Sequence, residues 1–115
     1  MQNLLNLPWD EKKSTIESLV ATHPDKVPVI FRISPECSFE NKITKRSMLI
    51  EKKSRLVDVI RSFRKMFNLT SESVITFSAN DVMLPNNSLV EELYRLHQSD
   101  DMILYLKIHE LSPLG

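Results

Sequence analysis

A chain of 115 residues, 42% apolar and 26% charged, has the make-up of one globular domain that buries a core without disulfides. Its single cysteine, Cys37, excludes an internal disulfide and suits a reducing compartment such as the cytosol. Net charge is zero, yet residues 32–65 carry ten Lys/Arg against four acids and residues 66–115 carry two against seven. A basic middle fits a neutral or acidic partner, and no nucleic-acid recognition motif accompanies it, so that class of partner is set aside.

In chain order, residues 6–23 (NLPWDEKKSTIESLVATH) predict a helix. Pro8 suits the first turn, Asp10 and Glu11 favour the positive end of the dipole, and Trp9, Ile16, Leu19 and Val20 share a stripe. KVPVIFRI reads as a strand with Val27, Val29, Phe31 and Ile33 on one face and Pro28 and Ile30 on the other. A polar loop from Ser34 to about Ile43 leads to a short second strand near RSMLIE. SRLVDVIRSFRKMF sets Leu56, Ile60, Phe63 and Phe67 at helical spacing, with Ser54 as cap. SVITFSA reads as a third strand, and NNSLVEELYRLH opens a short helix with Ser88 and Glu91 in capping-box spacing. DMILYLKIH is apolar almost throughout, as in a strand buried on both faces in mid-sheet.

This order implies an α+β fold, a ubiquitin-like β-grasp roll with a four-stranded mixed sheet, a central helix and an amino-terminal helical extension. The expected divisions are a helical extension over 1–24, a ubiquitin-like domain over 25–109 and a flexible tail over 110–115.

Enzymatic chemistry finds little support. His23, His97 and His109 are scattered without metal-ligand spacing, and Cys37 has no partner in its neighbourhood. No glycine-rich loop holds a phosphate. The reading is of a protein that is not an enzyme and takes no cofactor or metal. The amino end lacks the basic start of a secretory leader, and no apolar run approaches the roughly 20 residues that span a bilayer.

The tail stands apart. Gly115 is the one glycine, where average usage near 7% gives about eight. Pro113 breaks the preceding ELSPLG, so the end of the chain extends from the body, and a terminal glycine has no Cβ to obstruct attack on an activated carboxyl.

HPDKVPVI at 23–30, PW at 8–9, LY at 93–94 and 104–105, FRKMFNL at 63–69 and the terminal glycine together resemble the ubiquitin-like autophagy modifiers, the GABARAP and light-chain-three family. The resemblance runs from about Pro8 to Gly115. It implies activation by an ATP-dependent enzyme, transfer between thioesters through a conjugating enzyme, and attachment of Gly115 to phosphatidylethanolamine on autophagosomal membranes. A processing and deconjugating cysteine protease belongs to the same cascade. It also implies cytoplasmic residence before lipidation, and recruitment of cargo receptors carrying an aromatic residue and an aliphatic residue three positions later.

Carried over position by position, the resemblance lines an aromatic pocket with Leu19, Pro28, Ile30, Leu49 and Ile103. An aliphatic pocket takes Met48, Ile50, Val59, Phe63 and Met66, and Lys26, Lys45, Arg46, Arg64 and Lys65 form a charged rim. Ser47 stands where the family usually has a lysine, Ile103 where it has a bulky aromatic, Glu51 where proline is common and Met66 where a base is usual. Leu114 replaces the usual aromatic before the glycine. Two other readings stay open: conjugation to a protein lysine, and an unconjugated ubiquitin-fold interaction module.

Overall fold

The structure, a computed structural model, describes residues 9–35, 37–39, 43, 46–69 and 74–111. Its elements are α1 (Trp9–Thr22), β1 (Lys26–Ile33), β2 (Ser47–Glu51), α2 (Leu56–Met66), β3 (Val74–Ala79), β4 (Val82–Met83), α3 (Val90–His97) and β5 (Leu104–Leu111). The sheet order is β2-β1-β5-β3-β4, with β1 and β5 parallel and the other pairs antiparallel. This is the ubiquitin-like β-grasp roll the sequence implies, with five strands rather than four.

The added strand is β4. Asn80 and Asp81 both take left-handed φ, 51° and 65°, in a two-residue connection between Ala79 and Val82. Asn and Asp tolerate that region and suit the turn whose twist matches a hairpin. With two residues, β4 is too short to leave a periodic signal.

The alternation read in β1 is realised. Val27, Val29 and Phe31 join Leu104, Leu106 and Ile108 of β5 and Phe77 of β3 in the main core, beneath Leu56, Val59, Ile60 and Phe63 of α2. Ile30 faces the other way and packs with Ile103 and with Ile16 of α1. One helix therefore lies on each side of the sheet, and α3 contributes Val90 and Leu93 to the α2 side. The side chain of Trp9, expected in the α1 stripe, and Pro8 lie outside the described residues.

β5 is central but not buried on both faces throughout. Leu104, Leu106 and Ile108 are fully buried on the α2 side. On the other face α1 covers Ile103 and part of Tyr105, and Lys107 is exposed. The strand also continues to Leu111, two residues past the division expected at His109.

The loop after β1 is not simply polar. Cys37, Phe39 and Ile43 are buried in the main core. The Cys37 thiol donates to the Ile108 carbonyl at 3.5 Å, which makes it a small core residue.

The serine caps are also corrected. α2 starts after Arg55 and α3 after Leu89, and neither start carries a side-chain cap from Ser54 or Ser88. Instead the two lead-in segments satisfy each other. Leu56 and Val57 donate their N–H groups to the carbonyls of Ser88 and Asn86, at 2.9 and 2.8 Å. Val90 and Glu91 donate to Ser54 and Lys52, at 2.9 and 3.1 Å. Helix starts leave about four N–H groups without an internal partner, and these carbonyls take up two at each.

At the entry to β5, Met102 holds a φ of 63°. Its carbonyl accepts the Tyr94 hydroxyl at 2.8 Å, and the Asp101 carboxylate accepts the Tyr105 hydroxyl and the Ile103 N–H. Burial, and then the charge of Asp101, raise the Tyr94 hydroxyl above its ordinary pKa.

Phe77 is fully buried, with ring contacts to Phe31 at 5.9 Å and Phe63 at 6.2 Å. Phe77→Ala is expected to cost about 3–5 kcal/mol in urea unfolding followed by circular dichroism. A loss under about 1 kcal/mol would contradict this packing.

Candidate functional site: the β2 edge and its two apolar flanks

β2 pairs with β1 alone among the described residues, so its outer edge is open. The antiparallel register, with Pro28 opposite Leu49 and Val29 opposite Met48, fixes which side chains share a face. Met48 and Ile50 lie on the α2 side with Val27 and Val29. Ser47, Leu49 and Glu51 lie on the α1 side with Ile30, Pro28 and Lys26.

On the α2 side a groove of about 210 Å³ opens between β2 and α2. All five residues of the expected aliphatic set line it: Met48, Ile50, Val59, Phe63 and Met66. Phe63 and Val59 are buried beneath, whereas Met66 is 49% exposed at the mouth. Phe31 adds to the floor, its ring 5.4 Å from that of Phe63 and edge-on to it.

The groove is also lined by Leu49, although β2 alternation puts it on the other face, and by polar residues that reading did not include: Glu51, Ser54, Asp58 and Ser62. A signal was present, because Asp58, Ser62 and Met66 follow one another at i, i+4 spacing beside Val59 and Phe63. Asp58 Oδ2 accepts the Arg55 N–H at 3.1 Å, and Oδ1 lies 3.8 Å from Arg61 in an exposed pair.

On the α1 side the aromatic set is gathered but roofed. Ile30 and Ile103 are 1% and 0% exposed and close on Ile16, with Leu19 and Val20 packed against them. Pro28 is buried, and Leu49 beside it is half-buried. An aromatic side chain enters here only if α1 shifts.

The basic rim is dispersed. Lys26 begins β1 opposite Glu51, Arg46 precedes β2, and Arg64 and Lys65 end α2. None of these four lines the groove, whose two charged lining residues are both acidic. Lys45 and Gly115 lie outside the described residues. Among the described residues no group of three or more His, Cys, Asp or Glu is placed to hold a metal ion.

Comparison with known proteins agrees with this architecture. A family profile described as "Autophagy protein Atg8 ubiquitin like" matches residues 11–114. The autophagy-related protein 8 of Lodderomyces elongisporus is 28% identical over 99 residues, 86% of this chain and 67% of that protein. The crystal structure of Trypanosoma brucei ATG8 is similar with a TM-score of 0.84 at 20% identity, covering 96% of this chain and 95% of that one. Plasmodium falciparum Atg8 in complex with a Plasmodium falciparum Atg3 peptide gives 0.79 at 16% identity, covering 96% and 100%.

A sheet grasping one helix, with a second helix added at the amino end, defines a ubiquitin-like protein. The chain belongs to the Atg8 family of ubiquitin-like autophagy proteins.

Ile16 is the fully buried contact of α1 with the sheet. Ile16→Ala is expected to lower hydrogen-exchange protection of α1 by the equivalent of about 2–5 kcal/mol and to leave β3 and β5 protected. Equal loss in both would show that α1 does not open as a separate unit.

Proposed function

We propose that this protein is a ubiquitin-like modifier of autophagy that is conjugated through Gly115 to phosphatidylethanolamine and recruits partners through the β2 edge. It acts as an attached docking platform rather than as an enzyme. It is cytoplasmic before lipidation and on the autophagosomal membrane after it.

The observation that carries the recruiting role is an open strand edge with an apolar flank on each face. An extended peptide that adds to β2 points successive side chains to opposite faces. Two anchors three positions apart therefore fall on opposite sides of the sheet. An aromatic anchor lies on the α1 side at Leu19, Pro28, Ile30, Leu49 and Ile103. An aliphatic one lies in the groove at Met48, Ile50, Val59, Phe63 and Met66. Lys26, Arg46, Arg64 and Lys65, with Lys45, supply the positive surroundings that draw in acidic flanks.

Family membership supports the conjugating role, and the Plasmodium falciparum Atg8 that holds an Atg3 peptide supports a conjugating enzyme among the partners. Activating enzyme, processing protease and cargo receptors complete the set. Among the described residues no helix is long and apolar enough to cross a membrane. Two acyl chains gained at once, each buried CH₂ contributing about 0.8 kcal/mol, anchor a protein stably where one is marginal.

Intact-mass measurement of the protein from the membrane fraction of its own cells is expected to show a phosphatidylethanolamine adduct that Gly115→Ala abolishes. An isopeptide-linked protein would mark a lysine-directed modifier, and unmodified protein from induced cells would leave an interaction module. Leu49→Ala is expected to weaken binding of an aromatic-x-x-aliphatic peptide by about 1–3 kcal/mol in calorimetric titration. An unchanged affinity would remove Leu49 from the site.

A further inference from the structure

We propose that Arg32 and Lys107, side by side on the face of the sheet opposite α2, bind the phosphate monoester headgroup of an anionic lipid in the membrane that carries the protein. The inference rests on the reading that Gly115 is joined to a membrane lipid, and it names the surface that then meets the bilayer.

The placement follows from strand register. Arg32 of β1 pairs with Lys107 of β5, and Lys107 pairs in turn with Ser78 of β3. Phe31, Leu106 and Phe77 are buried in the core on the α2 side, so alternation puts Arg32, Lys107 and Ser78 in one row on the other face. There α1 covers Ile30 and Ile103, and beyond it Arg32 and Lys107 are exposed.

Two cations directly opposite each other on neighbouring strands repel. Among the described residues neither is in an ion pair. The acids that flank β5 are engaged elsewhere. Asp101 accepts the Tyr105 hydroxyl and the Ile103 N–H. Glu110 belongs to the other face and accepts the N–H and hydroxyl of Ser38, at 2.8 and 2.9 Å.

Arg32 is also held in place, its guanidinium 4.5 Å from the centroid of the Tyr105 ring. A guanidinium lying over a ring keeps N–H groups at its edge for an acceptor. One row along, Thr76 stands opposite His109. His109 Nε2 lies 2.8 Å from Ser78 Oγ, and Thr76 Oγ1 has no hydrogen-bond partner. Polar groups rather than acids therefore border the two cations on the β3 side.

This set fits a phosphate monoester. Such a group carries about 1.5–2 negative charges near pH 7, which two cations match, whereas a diester carries a single charge. Arginine offers a planar fork to two phosphate oxygens, and lysine adds a point charge. The end of the chain favours a lipid as the carrier. β5 runs on from Lys107 to Leu111, and Gly115 follows Lys107 by a span of at most about 26–29 Å of extended chain. A lipid joined at Gly115 holds the row within reach of neighbouring headgroups.

The test floats the full, unconjugated chain with phosphatidylcholine vesicles containing phosphatidic acid, a monoester, or phosphatidylserine, a diester, at matched surface charge. Phosphatidic acid vesicles are expected to hold about three- to tenfold more protein. Arg32→Gln with Lys107→Gln is expected to remove that preference and to lower binding to phosphatidic acid about tenfold. Arg61→Gln with Arg95→Gln takes the same charge from two exposed ion pairs and is expected to change binding by less than about twofold. Equal binding to the two lipids, or equal loss in both variants, overturns the inference. Displacement of the vesicles by micromolar phosphoserine peptide or inorganic phosphate assigns the row to a soluble ligand and overturns the membrane assignment. Intact mass at Gly115 decides the attachment separately. An adduct without a preference for phosphatidic acid defeats this inference alone, and a preference without an adduct defeats the reading of the tail and leaves the row standing.

Discussion

The parallel pairing of β5 with β1 is the constraint on which the rest of the architecture depends. Leu104, Leu106 and Ile108 are fully buried, and β5 lies between β1 and β3. A parallel neighbour cannot be reached by a tight turn. The segment between the two strands therefore makes a long excursion, and in this chain it supplies β2, α2, β3, β4 and α3. With β5 on one side of β1, β2 has only the other side, and among the described residues no strand pairs with its far edge. The open edge follows directly from the topology.

Phe63 links that edge to the interior. It is 2% exposed and contacts the rings of Phe31, Phe39, Phe67 and Phe77, yet it also floors the groove. A groove floored by a core residue keeps its shape when empty, so under the proposed docking role little ordering cost would remain for a peptide. The α1 side is built differently. Its cluster has three fully enclosed residues, Ile16, Ile30 and Ile103, and one of them belongs to a helix that adds no strand pairing. The two flanks of β2 thus differ in construction, one an open groove and one under a cover.

Much of this was legible in the residues. The bounds of β1 and the division of its side chains between two faces follow from period-2 alternation of branched residues, which few other arrangements satisfy. The core stripe of α2 was equally clear. What was missed depends on contacts distant in sequence. Ser54 and Ser88 have the chemistry of caps, but carbonyls from the other helix's approach reach the same N–H groups. Cys37, Phe39 and Ile43 sit among polar neighbours, and nothing local shows that their loop folds onto Phe63 and Ile108. At the site, resemblance placed five residues that line one groove. It did not include Asp58 and Ser62, which line the same groove one helical turn apart on α2.

The exchange of carbonyls between the starts of α2 and α3 bears on how the protein is made. The first N–H groups of α2 are received by Asn86 and Ser88, and the Arg55 guanidinium reaches the Asn87 carbonyl. All of these acceptors leave the ribosome well after the helix they complete. A growing chain that has just finished α2 holds a helix with an open end and one wall of a groove that is not yet secured. The start of α2 therefore gains these backbone partners only once residues 86–88 have been synthesised.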